Sequence, residues 1–311
     1  VIAVIDRSAL RRHAPQIGMI GAFVVMVAGF STLSPVFFTF GNFINIANQT
    51  AIISVLAFGM TLVMLCGGID LSVGSLVSLS AVVCALLLGA GTPTPIAMAA
   101  AIAVGVAFGA MSGFVAVRWG IQTFLVTLGA LSIARGLSLV LSDGRTIYIE
   151  SERFLALTAQ GSVGPIPMLL VWTLVFFALT WILLNLTTFG RKLRATGGNP
   201  EAARQVGIRT GWVTVRVFML SGGLAAFAGL MMAGRLSSGL PSVGVGMELD
   251  AIAAAVLGGT GFKGEGGSLV GTLFGALVMG TVINGLTILG VNPYVQEIAK
   301  GLIIILAVVV V

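Results

Sequence analysis

Apolar stretches of about twenty residues follow one another along this chain almost without a break, and no other feature narrows its possible folds as much. A helix rising 1.5 Å per residue needs about 20 such residues to cross a hydrocarbon core of ~30 Å. In that solvent every backbone N–H and C=O has to be satisfied within protein, which a helix does by itself. Charged residues make up 8% of the 311, against roughly 25% in soluble domains, so no aqueous surface of ordinary character can be built. Glycine contributes 43 residues, about twice the usual ~7%, and small residues let helices approach closely where water supplies no hydrophobic push. The expected fold class is all-α: a polytopic membrane protein of tightly packed helices with few strands.

Charges and clusters of Gly, Pro and Asn divide the sequence into ten candidate spans: 15 to 34, 49 to 66, 73 to 91, 95 to 117, 121 to 141, 165 to 187, 213 to 235, 249 to 262, 268 to 289 and 293 to 311. The eighth is short for a crossing and reads as a broken or tilted helix continuing through Gly258-Gly259, so eight or nine spans are alternatives to ten. With the N-terminus in the cytoplasm, alternation places Arg118, Lys263 and five basic residues of 188–212 inside and leaves Arg145, Arg153 and Arg235 outside, as the positive-inside rule requires. Both termini are then cytoplasmic. Arg7, Arg11 and Arg12 ahead of an apolar run imitate a signal peptide, but the run lacks a small-residue cleavage site and is long enough to span. It reads as the first membrane helix. The net charge of +6 reflects the loops and does not imply nucleic acid. Gly74-Ser75-Leu76-Val77 recurs as Gly267-Ser268-Leu269-Val270, each preceded by a Gly-Gly pair; duplication of this kind is common in transporters, and chance also produces four-residue matches.

Catalytic readings find little to work with. The sole histidine, His13, lies in the polar N-terminal tail, and Cys66 and Cys84 fall in apolar segments without metal or disulfide spacing. No catalytic residue and no metal site is expected. The chain lacks a GxxxxGK[ST] phosphate loop, so ATP and its Mg are expected on another polypeptide and no cofactor on this one.

The longest charged stretch, 188–212, carries Arg191, Lys192, Arg194, Arg204 and Arg209. Inside it, Asn199 is suited to cap a helix, Pro200 to its first position, Glu201 to the positive end of its dipole and Gly207 to a left-handed exit. Two turns are too few to persist alone in water, where helices below ~12 to 15 residues are marginal. The segment is therefore expected either to order a turn between membrane helices or to seat against a partner.

Glu201-Ala202-Ala203, with Gly207 beyond, resembles the EAA-x-x-x-G loop of ABC importer permeases, whose coupling helix sits in a groove of the ATPase subunit. Gly67-Gly68-Ile69-Asp70-Leu71-Ser72-Val73-Gly74-Ser75 and the segment from Glu248 to Thr260 are similar to the ribose-type branch of that family, as are Arg135-Gly136 and Asn284-Gly285-Leu286. The resemblance covers the chain from about Thr32 to its end. It implies one transmembrane permease domain over 1–311 with a cytoplasmic coupling loop at 188–212, similar in fold to the ten-helix cobalamin importers. It implies a bacterial inner-membrane homodimer, an ATPase below and a periplasmic sugar-binding protein above. Asn199, Glu201, Ala202, Ala203, Arg204 and Gly207 are the residues expected to couple to the ATPase.

Other polar residues carry two readings each. A carboxylate in mid-membrane costs at least ~2.5 to 3.5 kcal/mol, so Asp70 is expected to hold the N-terminus of the third span, with Ser72 as a second cap, or to join a gate. Arg135 must snorkel, pair or face water, and Asp143 is one possible neighbour. Glu248 and Asp250 suit a helix N-terminus or an outer binding protein, a contact also open to Glu150 and Glu152. Asn48, Gln49, Phe124 and Asn284 are candidates for lining a pathway, packing being the alternative. The function expected is translocation of a monosaccharide, a pentose such as ribose, driven by ATP hydrolysed on a partner. A self-contained channel or ion-coupled transporter, with Asp70 and Arg135 as its ionisable groups, and a permease for branched-chain amino acids are the alternatives.

Overall fold

The computed structural model describes residues 21, 23–262, 264 and 266–310. The helices are α1 (Phe23–Leu33), α2 (Phe40–Leu65), α3 (Val73–Gly89), α4 (Thr94–Trp119), α5 (Thr123–Ser142), the single turn α6 (Glu152–Leu155), α7 (Met168–Leu186), α8 (Thr188–Gly198), α9 (Pro200–Gln205), α10 (Thr210–Leu236), α11 (Met247–Leu257), α12 (Leu269–Ile288) and α13 (Pro293–Val310). Six of them, α2, α4, α5, α7, α10 and α12, are long and apolar enough to cross a membrane. The polytopic all-α expectation agrees with this. His13, the three N-terminal arginines and the beginning of the expected first span, 15–20 and 22, lie outside the described residues, as does Lys263.

Helices α2 and α10 form the centre, where 78% of the most apolar window of each is buried, against 22% in α5 and α7. Close approach explains how α4 packs along α10. Ala97, Ala101, Gly105, Gly109 and Gly113 recur every four residues on the face of α4 that is buried. A methyl group on Gly109 would overlap the Phe218 carbonyl and one on Gly113 the Val215 backbone. Packing of small residues replaces the hydrophobic driving force that lipid cannot supply. The outward faces of α5 and α7, with Leu125, Leu128, Leu137, Leu174 and Leu179 exposed, are the lipid-facing counterpart.

Two helices begin inside the protein. After α2, the chain turns at Cys66-Gly67, where Gly67 adopts φ +81, and runs back non-helically to Val73. Asp70 on this segment reaches Ser221, near the middle of α10, at 2.9 Å. On the other side, 237–246 leads irregularly into α11, and the first turns of α3 and α11 abut: Ser78 Oγ accepts from the Gly244 N–H at 2.9 Å, and Gly74 lies against Gly244 and the Glu248 carboxylate. Non-helical backbone at such depth is tolerated only when buried in protein. Here Thr123 and Thr127 of α5 satisfy it, accepting from the N–H groups of Ile69 and Leu71 at 3.1 Å each.

The expected eighth span is corrected by α11, which is 11 residues, or about 16 Å at 1.5 Å per residue, and stops at Gly258-Gly259 instead of continuing through it. Gly259 takes φ +82, its N–H bonds back to Val256 and that of Thr260 to Ala255, which closes the helix end. The segment between α5 and α7 folds into α6, the π-helical turn Ala156–Gln160 and one short hairpin, Ser162–Val163 with Ile166–Pro167. Its Ile147–Tyr148 also pairs antiparallel with Ser238–Gly239, joining this cap to the far end of α10.

Candidate coupling loop and membrane-centre junction

Local sequence accounts for α9. Asn199 Oδ1 accepts from the N–H groups of Glu201 at 3.1 Å and Ala202 at 2.9 Å, Pro200 occupies the first turn, and Gly207 exits with φ +84. Glu201, Ala202, Arg204, Gln205 and Gly207 are exposed, and Arg204 Nε donates to Thr210 Oγ1 at 3.2 Å. Ala203, by contrast, is only 3% exposed and packs inward against its own chain. Val206 is 76% exposed, an apolar tip that the sequence reading passed over.

Ahead of α9 lies α8, an amphipathic helix not anticipated from the sequence. Its buried Gly190, Leu193 and Thr196 recur at spacings of three, which is the signal that could have found it. Thr187 Oγ1 caps it, accepting from the Gly190 N–H at 3.3 Å. Near the C-terminus of α8, Gly197 meets the Leu65 carbonyl and Cys66 so closely that an added Cβ would overlap both, and Gly264 and Gly67 close the same contact. The loop thus bears directly on the turn that leads to Asp70.

Asp70 is fully buried. Its Oδ1 accepts from the Ser72 N–H at 3.0 Å and the Ser72 hydroxyl at 2.6 Å, and its Oδ2 from Ser221 Oγ. Asp70 therefore organises the start of α3 and ties it to α10. Ser72 is corrected as a second cap: it is the N-cap residue, but its hydroxyl is committed to Asp70 and accepts from no N–H of the first turn. Two positive helix ends face each other at this junction, and Asp70 together with Glu248 and Asp250 in the first turn of α11 supplies the opposite charge.

Glu248 and Asp250 are 8% and 6% exposed, so they lie within the protein at the start of α11 and not on its outer surface. Lys300 of α13 pairs with Asp250 at 3.5 Å and with Glu297 at 2.9 Å, a link that sequence spacing gave no means of finding. Arg135 is half-buried on α5 and among the described residues forms no ion pair; Asp143 instead pairs with Arg145 at 3.5 Å on the exposed end. Glu150 and Glu152 are exposed on the cap. Of the expected pathway residues, Phe124 is 39% exposed, while the side-chain carbonyls of Asn48, Gln49 and Asn284 are buried and, among the described residues, lack hydrogen-bond partners.

Comparison with known proteins follows the same outline. The family described as branched-chain amino acid transport system / permease component matches residues 42–308. The chain is 42% identical to the ribose import permease protein RbsC of Escherichia coli K12 over 295 residues, covering 93% of this chain and 91% of that protein. It is 38% identical to RbsC of Bacillus subtilis, covering 93% and 90%, and 37% identical to the L-arabinose transport system permease protein AraH of Escherichia coli K12, covering 94% and 89%. No solved structure matches the chain to significance. A transport subunit, and not an enzyme, fits both these relatives and the helical architecture, and the chain belongs to the permease family of ABC importers, in its ribose-type branch.

Proposed function

We propose that this chain carries a monosaccharide, a pentose such as ribose, across the bacterial inner membrane as one copy of a homodimer. A separate ATPase subunit docks on α9, and a sugar-binding protein delivers cargo to the opposite face at the cap bearing Glu150 and Glu152. The observation that carries this reading is the exposed, capped α9 whose neighbour α8 presses through Gly197 on the turn before Asp70. A push on α9 reaches the membrane centre through backbone contacts, with no flexible side chain between. Similarity to ribose and arabinose permeases supports a sugar. The orientation, with α8 and α9 in the cytoplasm, is supported by the basic residues of 188–212.

The family's description favours a second cargo, a branched-chain amino acid. The named relatives favour the first. Of the buried carboxylates, Asp70 is saturated with donors and Asp250 is paired, while Glu248 keeps one oxygen without a hydrogen-bond partner among the described residues and is the group a zwitterion's ammonium would have to reach. The acceptors left without partners on α2 and α12 are neutral amide carbonyls, which suit hydroxyl donors. Proteoliposomes holding the chain, its ATPase and its binding protein test the reading. Labelled ribose should accumulate only with ATP inside the compartment facing the ATPase; uptake of leucine with ribose ignored assigns the other cargo, and uptake by the chain alone assigns a self-contained transporter.

A further inference from the structure

A half-open cavity of about 410 Å³ lies beside the coupling loop, lined by Phe189 and Lys192 of α8, Arg209, and Trp212 and Arg216 of α10. Three cations share it with two aromatic rings. Among the described residues none of the three forms an ion pair, and Lys192, Arg209, Trp212 and Arg216 are exposed. We propose that this cavity binds the phosphate of an anionic phospholipid in the leaflet on the coupling-loop side.

Depth favours a lipid over a docking protein. Arg216 and Arg235 of α10 lie about 28 Å apart along the axis at 1.5 Å per residue, close to the ~30 Å of a hydrocarbon core. The two arginines therefore bracket the apolar layer, which puts Arg216 at the height of one row of headgroups. Trp212 sits one turn below with 62% of its surface exposed, as does Trp119 at the end of α4. The Arg118 guanidinium lies 5.9 Å from the Trp119 ring centre, and Gly211 of α10 touches the Val117 side chain, so both tryptophans mark one level. Tryptophan and arginine together at that height are the anchors of a membrane interface. The polar end of the cavity would take the phosphate through Lys192, Arg209 and Arg216, and the rings of Phe189 and Trp212 would take the glycerol and upper acyl carbons. The assignment depends on where α10 sits in the bilayer and is independent of cargo and of the ATPase.

The full chain, with Trp119, Trp172 and Trp181 changed to Phe so that Trp212 alone reports, is placed in phosphatidylcholine nanodiscs containing brominated phosphatidylglycerol or brominated phosphatidylcholine. The anionic lipid should quench Trp212 selectively, and Arg209→Gln and Arg216→Gln should each weaken that selectivity roughly fivefold. Arg216→Lys keeps the charge and should keep most of the preference, which separates loss of binding from loss of fold. Equal quenching by the two headgroups, or an Arg216→Lys variant as impaired as Arg216→Gln, overturns the proposal. Displacement of the lipid by millimolar inorganic phosphate assigns the cavity to a free anion, and displacement by the purified ATPase subunit assigns it to protein docking; either result also overturns it.

Discussion

Asp70 accepts three hydrogen bonds and joins α3 to α10. In Asp70→Asn, one carbonyl can still accept from Ser72 while the amide turns towards the Ser221 hydroxyl, so folding and part of the transport should survive. Asp70→Leu strands three buried donors at about 1 to 3 kcal/mol each and should abolish the folded protein in detergent, as read by thermal unfolding. Equal melting of the two variants contradicts the account. Gly197 makes a second prediction. A methyl there has to displace the backbone at Leu65 and Cys66, so Gly197→Ala should lower sugar uptake several-fold more than it lowers ATP hydrolysis by the assembled transporter. A proportional loss of both would place Gly197 outside the coupling route. Lys300→Met leaves Asp250 buried without its counter-charge, a change that costs about 3 to 5 kcal/mol for a buried pair. The lower end is expected because Lys300 keeps 19% of its side chain exposed, and Asp250→Asn in the same background should restore most of the loss.

Among the elements, α9 carries its instructions within nine residues, and each contributes through a neighbour close in sequence: a cap, a proline in the first turn, a left-handed glycine. That locality made it legible before any fold was known. Asn199→Ala removes the acceptor for two N–H groups and should cost about 1 kcal/mol of local order, measurable as faster amide exchange over 200–205. Gly207→Trp strains a φ of +84, and uptake should fall while the ATPase continues to turn over. The re-entrant segments were not legible for the opposite reason. What holds Ile69 and Leu71 are hydroxyls on α5 more than fifty residues away, and periodicity along one segment carries no record of a partner on another. Glu248 and Asp250 show the same limit. Acidic residues opening a helix were readable as such, but whether they faced water or the core depended on Gly74 and Lys300.

At the scale of the molecule, the spans were legible because bilayer thickness sets helix length, and most observed helices fall within a few residues of the apolar runs. Their arrangement was not, and the four-residue stripe of small residues on α4 emerged only with the structure. Two half-helices that meet at the centre, each ending in a glycine turn, give the core a place to rearrange without unfolding a full span. The exposed loop of α8 and α9 is the element proposed to drive it, since a conformational bias requires a ligand with different affinity for the two states. The most direct test is cysteine crosslinking from Gln205, exposed on α9, in a chain whose Cys66 and Cys84 are replaced. Gln205→Cys should capture the ATPase subunit, with a yield that changes between ATP-bound and nucleotide-free conditions. A Gln205→Cys that labels only from the opposite side of the membrane, or captures the ATPase equally with and without ATP, contradicts the claim that α9 transmits the work of hydrolysis.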